Sequence, residues 1–401
     1  MQQFTRYLCC FVLGACVALS LSISSSEQAY QKSIYHDANF PLLVDIIDTI
    51  ETYYVDKVDR ETLINAAIKG IFDKLDPYSG FLNKEGYQAL NDANRGEYFG
   101  FGFEVATDDG QITIVTPFKH SPAERAGIEA GDKIIKFNDT PVDETNYQSV
   151  LTEIRFHSTH NYAIKLTLKK ASSHQEYALT LLPDFVYIQS LESYILEDDI
   201  GYIHLTSFQE DATQAIVEQA KKWQDNDLKG IILDVRNNPG GLLEQAISIA
   251  DLFLEQGKIV STNGRFFDAN EDYYASGQSI FNNIPMAVLI NKGSASASEV
   301  LAAALQENNR ALIFGETSFG KGTVQSIIPM LGHSNAVKLT IANYSTPNGN
   351  NIHHKGITPD IEIKISAVTD HTNMPIIVPQ NLIEPNYDQQ VASAIAWIDG
   401  R

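Results

Sequence analysis

Residues 284–308 read IPMAVLINKGSASASEVLAAALQEN. The apolar run Met286 to Ile290 fits a strand, Lys292-Gly293 a turn, and the alanine- and leucine-rich segment from Ala297 a helix. The sequence on either side repeats this alternation. DIGYIHLTSF is a strand, ATQAIVEQAKKWQ a helix, GIILDVRN a buried strand, GLLEQAISIADLFL a helix and RALIFG a strand. Strands alternating with helices predict α/β layering over residues 185–365.

Further out the texture changes. Residues 96–184 read as a compact unit of strands with two short helices. EYFGFGFEVA and QITIVTPF are joined by an Asp108-Asp109-Gly110 turn, SPAERAGI and NYQSVLTEIRF are helical, and YAIKLTLKK and EYALTLL are strands. Residues 27–95 read as a helical region after a polar lead-in, because LLVDIIDTIETYYVD and ETLINAAIKGIFDKL repeat apolar residues at three- and four-residue spacing. Residues 366–401 read as an irregular tail with a last helix in NYDQQVASAIAWI. The class is α/β and multidomain.

At the start, Arg6 precedes an apolar run from Tyr7 to Ile23, followed by small polar residues. Residues 1–26 are therefore expected to be a secretory signal or an N-terminal anchor, which implies export to the periplasm or cell envelope and a route to membrane association. Leu13-Gly14-Ala15-Cys16 also resembles a lipoprotein cleavage box. All three cysteines, Cys9, Cys10 and Cys16, fall in this leader, so a cleaved chain would hold no disulfide. The 401 residues carry a formal charge of −21 with no long basic run, which argues against a nucleic-acid partner.

The serines of GSASASE raise the question of chemistry. Ser296 and Glu299 fit a capping box, which alone would make Ser296 a helix cap. A helix N-terminus also offers N–H groups to an oxyanion, so the same turn suits a nucleophile if a base is near. No histidine stands in a suggestive motif. His353 and His354 are adjacent, so in regular structure their rings diverge, and His204 fits a strand. Neither HExxH nor CxxC occurs, so no metal site is expected. GETSFGKGTVQ supplies Lys321. Gly315, Gly320 and Lys321 also resemble a phosphate loop, but Gly322 stands where Ser or Thr should bind magnesium, and TVQSIIPML continues poorly as a helix. A lysine serves as base once neutral, and desolvation lowers its pKa from about 10.4; Phe319 and its apolar flanks are candidates for that cover. Gln325 reaches Lys321 only if a local turn intervenes. In ILDVRNNPGG, Gly240-Gly241 allows backbone N–H groups a close approach to substrate, and Asp234 with Arg236 fits a structural pair.

Taken together, GSASASE, FGKGTVQ and LDVRNNPGG resemble the carboxy-terminal processing peptidases, or tail-specific proteases. LDPYSGFL and TPNGNNIHHKGITPDI resemble further segments of that family, and YFGFGFEV with SPAERAGIEAGDKI resembles a PDZ domain. The resemblance spans about residues 40–365. It implies a ClpP/crotonase-like peptidase core with an inserted PDZ domain. It implies Ser296 as nucleophile, Lys321 as general base, Gln325 as the residue orienting Lys321, and Gly241 and Ala297 as oxyanion-hole amides, with Gly240 as a substitute. It implies a cell-envelope serine endopeptidase, free of cofactors, acting near the C-termini of proteins with unstructured, apolar ends. The PDZ loop Tyr98, Phe99, Gly100, Phe101 and Gly102 would bind those ends and can gate access. An adaptor protein and a homo-oligomer are also within its implications. Two segments depart from the family pattern: a turn at Phe156-His157-Ser158 lacks the usual glycine, and Asn348–His354 replaces the common PSGxxIQ run.

Overall fold

The computed structural model describes residues 40–108, 110–196, 199–281, 284–330, 334–364 and 388–401. The predicted leader with its cysteines, Asp109 of the first turn, and the tail up to residue 387 lie outside them. The chain divides into two compact units, Met1–Phe81 and Leu82–Arg401.

In the first unit, α1 (Phe40–Tyr53) and α2 (Arg60–Phe72) carry the expected helical periodicity. Asp59 caps α2 by accepting the Glu61 N–H at 3.1 Å, and Arg60 pairs with Asp48 and Glu51 of α1. Strand β1 (Gly80–Leu82) lies at the junction. The helix α3 (Lys84–Asn94), grouped by sequence with the N-terminal helices, falls in the second unit.

The second unit opens with β2 (Glu97–Gly100), β3 (Phe103–Asp108), β4 (Gln111–Pro117), α4 (Pro122–Arg125), β5 (Lys133–Phe137), β6 (Thr140–Pro141), α5 (Tyr147–Thr159), β7 (Ile164–Lys169), β8 (Glu176–Leu181) and β9 (Asp184–Tyr187). Strands β3-β4-β5-β7-β8 form one antiparallel sheet, with β6 added on β5 and β3 at its edge. On β7, Ile164, Leu166 and Leu168 are buried while Lys165 and Lys169 face outward, the period of two that a half-buried strand requires. The sheet closes over Val150 and Ile154 of α5. Strands β2 and β9 pair separately as a two-stranded ribbon. The segment Phe156-His157-Ser158, expected as a turn, continues α5 to Thr159.

The chain then enters an α/β layer. In order it builds β10 (Leu191–Ile195), β11 (Ile200–Leu205), α6 (Ala212–Trp223), β12 (Gly230–Asp234), α7 (Leu243–Phe253), β13 (Lys258–Gly264), β14 (Glu271–Tyr274), β15 (Met286–Ile290), α8 (Ala297–Glu307), β16 (Leu312–Gly315), β17 (Thr323–Pro329), β18 (Ala336–Ser345), β19 (Ile361–Glu362) and α9 (Gln389–Asp399). The sheet order is β10-β11-β12-β15-β16-β19, parallel from β11 onward. Every residue of β12 and β15 is buried, because helices cover both faces. Ile231, Leu233, Val288 and Ile290 point to α6, α7 and α8, whereas Ile232, Ala287 and Leu289 point to α9. A second, antiparallel sheet joins β17, β18, β13 and β14. The strand reading of IPMAVLIN and its neighbours holds; β13, β14 and β18 were not read from the sequence. The phosphate-loop alternative for GETSFGKG fails structurally, since β17 and not a helix follows it.

One buried ionic cluster ties the chain's end to this layer. Arg236 is bidentate to Asp234, donates to Gln390 Oε1 at 2.9 Å, and pairs with Asp388 at 2.6 Å; Tyr202 donates to Asp234 at 2.6 Å. Asp234 and Gln390 are fully buried. Removing the cation would leave two buried carboxylates opposed. Arg236→Ala should therefore cost about 3–5 kcal/mol of stability and release α9. Urea unfolding and hydrogen exchange in 389–399 would check this, and a loss below about 1 kcal/mol would contradict it.

Candidate active site

The loops that follow β12 and β15 meet at the C-terminal edge of the parallel strands, where open α/β sheets place ligands. Hydrogen bonds weld them together. Ser294 Oγ donates to the Val235 carbonyl at 2.8 Å, Ser298 Oγ donates to Asn238 O at 2.9 Å, and the Ala295 N–H donates to Asn238 O at 3.0 Å. Thus Ser294 and Ser298 are consumed in building the turn. Ser296 is held at φ +56°, a left-handed conformation that costs a non-glycine residue of order 1–3 kcal/mol. Its hydroxyl lies 3.3 Å from the Tyr344 phenol oxygen.

Glu299 holds this geometry. It is fully buried, and its Oε2 accepts the Ser296 N–H and the Lys321 N–H, both at 2.8 Å. Its Oε1 accepts the Gly320 N–H and the Ser318 hydroxyl, both at 2.6 Å. Residues 25 positions apart in sequence thus hang on one carboxylate oxygen. The capping-box pattern was the signal in the sequence, but it pointed only to the Ser296 half of this arrangement.

Lys321 is half-buried. Burial, then the positive charge of Lys338, hold its ammonium below the ordinary lysine range, while Glu299 acts in the opposite direction. Phe319, expected to cover it, is 57% exposed. Gln325 sits on β17 just after a bulge. Its amide donates to Thr323 Oγ1 at 2.9 Å and Thr340 Oγ1 at 3.3 Å. The strap 346–357 crosses the base loop, with the His354 N–H donating to Gly320 O at 2.8 Å. The His353 and His354 rings, expected to diverge, have centroids 3.8 Å apart, because His354 adopts a positive φ in a turn.

The third component is Gly240-Gly241. A Cβ on Gly240 would lie 2.9 Å from Ser296 Cβ and 3.1 Å from the Ala297 nitrogen, and Gly241 has φ +145°. Only glycines allow this approach. The Gly240 N–H is taken by Asn238 Oδ1 at 2.9 Å, which removes it as a substitute donor. Among the described residues, the N–H groups of Gly241 and Ala297 have no acceptor.

Comparison with known proteins follows the same lines. Residues 199–363 match the model for peptidase family S41, 113–160 a PDZ domain, and 16–86 the N-terminal domain of the activating protease CtpB. A carboxy-terminal-processing protease of Bartonella bacilliformis is 37% identical over 358 residues, covering 88% of this chain and 80% of that one. The chain belongs to the carboxy-terminal processing proteases. Carboxy-terminal processing protease CtpA of Bacillus subtilis is 32% identical over 378 residues, covering 94% and 79%. A solved S41 protease structure from Bacteroides fragilis shares the fold at a TM-score of 0.57 and 14% identity, covering 88% and 97%. The protein is accordingly an S41-family serine protease with a PDZ domain, acting on protein substrates.

Next to the segment matched as a PDZ domain, β3 stands at the edge of the sheet it shares with β4, β5, β7 and β8, and the loop before it is fixed through its carbonyls. Phe101 O accepts the Ala123 N–H at 2.9 Å, and Gly102 O accepts the Phe118 N–H at 2.9 Å and the Ser121 hydroxyl at 3.0 Å. Tyr98, Phe99 and Gly100 lie on β2, where Ser158 of α5 donates to Phe99 O at 2.8 Å. The Tyr98 ring folds across Gly100, and burial pushes its pKa to about 12. Phe101 is core at 4% exposure and stacks on the half-buried Phe103.

Glu299→Gln keeps the side chain's size but leaves one acceptor oxygen for four donors. It should cut kcat at least about 10-fold by loosening Ser296 against Lys321. Peptide-hydrolysis kinetics beside a thermal melt checks this; a folded variant with full activity would contradict it.

Proposed function

We propose that Ser296 is the nucleophile of this protease and that Lys321 is its general base. The observation carrying the reading is that the main-chain amides of both residues converge on Glu299 Oε2, with the Gly241 and Ala297 amides, which have no acceptor among the described residues, beside the serine. Neutral Lys321 takes the Ser296 proton as Oγ attacks a peptide carbonyl. Gly241 and Ala297 hold the oxyanion, each contributing about 3–4 kcal/mol. The amine leaves with a proton from Lys321, and water hydrolyses the acyl-enzyme. In this reading Gln325, just after the bulge at Val324/Gln325, orients Lys321.

Residues 96–184 act in this proposal as the PDZ domain and 185–365 as the peptidase core. The substrate's C-terminal segment adds to the β3 edge, and its carboxylate meets the loop from Tyr98 to Gly102. The exposed edge and the carbonyl-anchored loop support this. An adaptor or activator, self-association, and an exported envelope location set by residues 1–26 belong to the same reading.

Ser296→Ala and Lys321→Ala should abolish proteolysis with the fold intact, and Lys321→Arg should be inactive because guanidinium stays protonated. A base whose pKa is lowered is neutral at lower pH, so activity should rise with pH through an ionisation below about 10.4. A robustly active Lys321→Arg enzyme would refute the base assignment. For recognition, two peptides differing only in a terminal carboxylate or amide should differ several-fold in cleavage rate, the acid faster. Equal rates would remove the C-terminus from the reading.

A further inference from the structure

Tyr344 has no part in the dyad, yet its phenol oxygen lies 3.3 Å from Ser296 Oγ, and no other partner for that phenol exists among the described residues. The side chain is 5% exposed. Its backbone joins the two halves of the site: Tyr344 sits on β18 opposite Thr262 of β13, and its N–H donates to Gly322 O at 2.9 Å, one residue beyond Lys321. One residue therefore touches the serine through its side chain and the base loop through its main chain.

A buried phenol needs an acceptor for its hydrogen. Burial raises the Tyr344 pKa by more than the contact with Ser296 lowers it, so the group remains a neutral donor. Ser296 carries a single hydroxyl hydrogen. If that hydrogen is directed to Lys321, as the dyad requires, Oγ is left to accept the second bond.

We propose that Tyr344 is a further catalytic residue, which donates its phenolic hydrogen to Ser296 Oγ and fixes the hydroxyl while its own proton goes to Lys321. This rests on the assignment of Ser296 and Lys321 made above. During attack the Ser296 hydrogen moves to Lys321 Nζ. An Oγ lone pair forms the bond to the carbonyl carbon, and the carbonyl π pair moves onto oxygen. Tyr344 keeps its hydrogen throughout, and its bond to Oγ is strongest at the point where proton transfer to Lys321 runs ahead of C–O bond formation and Oγ carries transient alkoxide character, the full charge then passing to the carbonyl oxygen. A donor acting only on the reacting oxygen should alter kcat and leave substrate binding alone.

The test is Tyr344→Phe in the full chain, which removes one oxygen from an otherwise unchanged ring. A hydrogen bond to a developing charge predicts a fall in kcat of roughly 10- to 100-fold with KM within about twofold. Labelling of Ser296 by a fluorophosphonate probe should slow in parallel. Replacing Tyr344 with 3-fluorotyrosine, which keeps the donor, should hold kcat within about threefold of wild type and separates loss of the hydroxyl from a folding defect. An unchanged or increased kcat in Tyr344→Phe would overturn the proposal, as would an equal loss in the fluorotyrosine protein. Failure of the parent reading looks different: the probe would then label wild type at a residue other than Ser296.

Discussion

The Glu299 carboxylate is sealed from solvent and surrounded by four donors, two of them the main-chain amides of Ser296 and Lys321. Burying such a group is unfavourable unless its lone pairs are filled, and here the backbone fills them. The arrangement therefore holds only when the serine turn and the lysine loop both stand in place. It also holds Ser296 at a positive φ that the residue would not adopt in a free peptide. A wholly buried helix start behind it, from Ala297 to Leu305, leaves the turn little room to relax.

Around this point the two sheets have separate tasks. The parallel sheet delivers the serine turn and the Gly240-Gly241 turn from the ends of neighbouring strands, β15 and β12, and Asn238 locks one to the other. The antiparallel sheet delivers Lys321 at the entry to β17 and Tyr344 near the end of β18, with Lys338 lowering the lysine's proton affinity from the same strand. Lys321 and Ser296 thus belong to different layers, and the strap 346–357 and Glu299 close the gap.

Gln325 is held within the antiparallel sheet. Its amide is engaged by Thr323 and Thr340 on the ribbon, and a bulge lies just before it. A bulge bends its strand and re-aims the side chain beside it. In the loop before β3, the Phe101 and Gly102 carbonyls are likewise engaged, by the Ala123 and Phe118 amides and the Ser121 hydroxyl.

The α/β layer and the order of its strands and helices were legible in the sequence, because they rest on local pattern: a buried strand, a turn and an amphipathic helix, repeated; the serine, the lysine and the glycine pair stood out only through the resemblance of their motifs to a known family. Strands β13, β14 and β18 were not, since KIVSTNG and AVKLTIANYS are half-buried ribbons whose alternation is weak and whose partners lie far along the chain. Tyr344 went unnoticed for the same reason: a tyrosine in a strand gives no sign that its phenol will meet a serine 48 residues earlier. Glu299 was visible as a cap, but its grip on Lys321 was not, because a capping box is local and a buried carboxylate's remaining lone pairs are filled by whatever the fold brings near. Sequence thus determined which groups could do chemistry; tertiary packing decided which of them share an oxygen atom, because hydrogen bonds between distant segments depend on the register of sheets that no local pattern encodes.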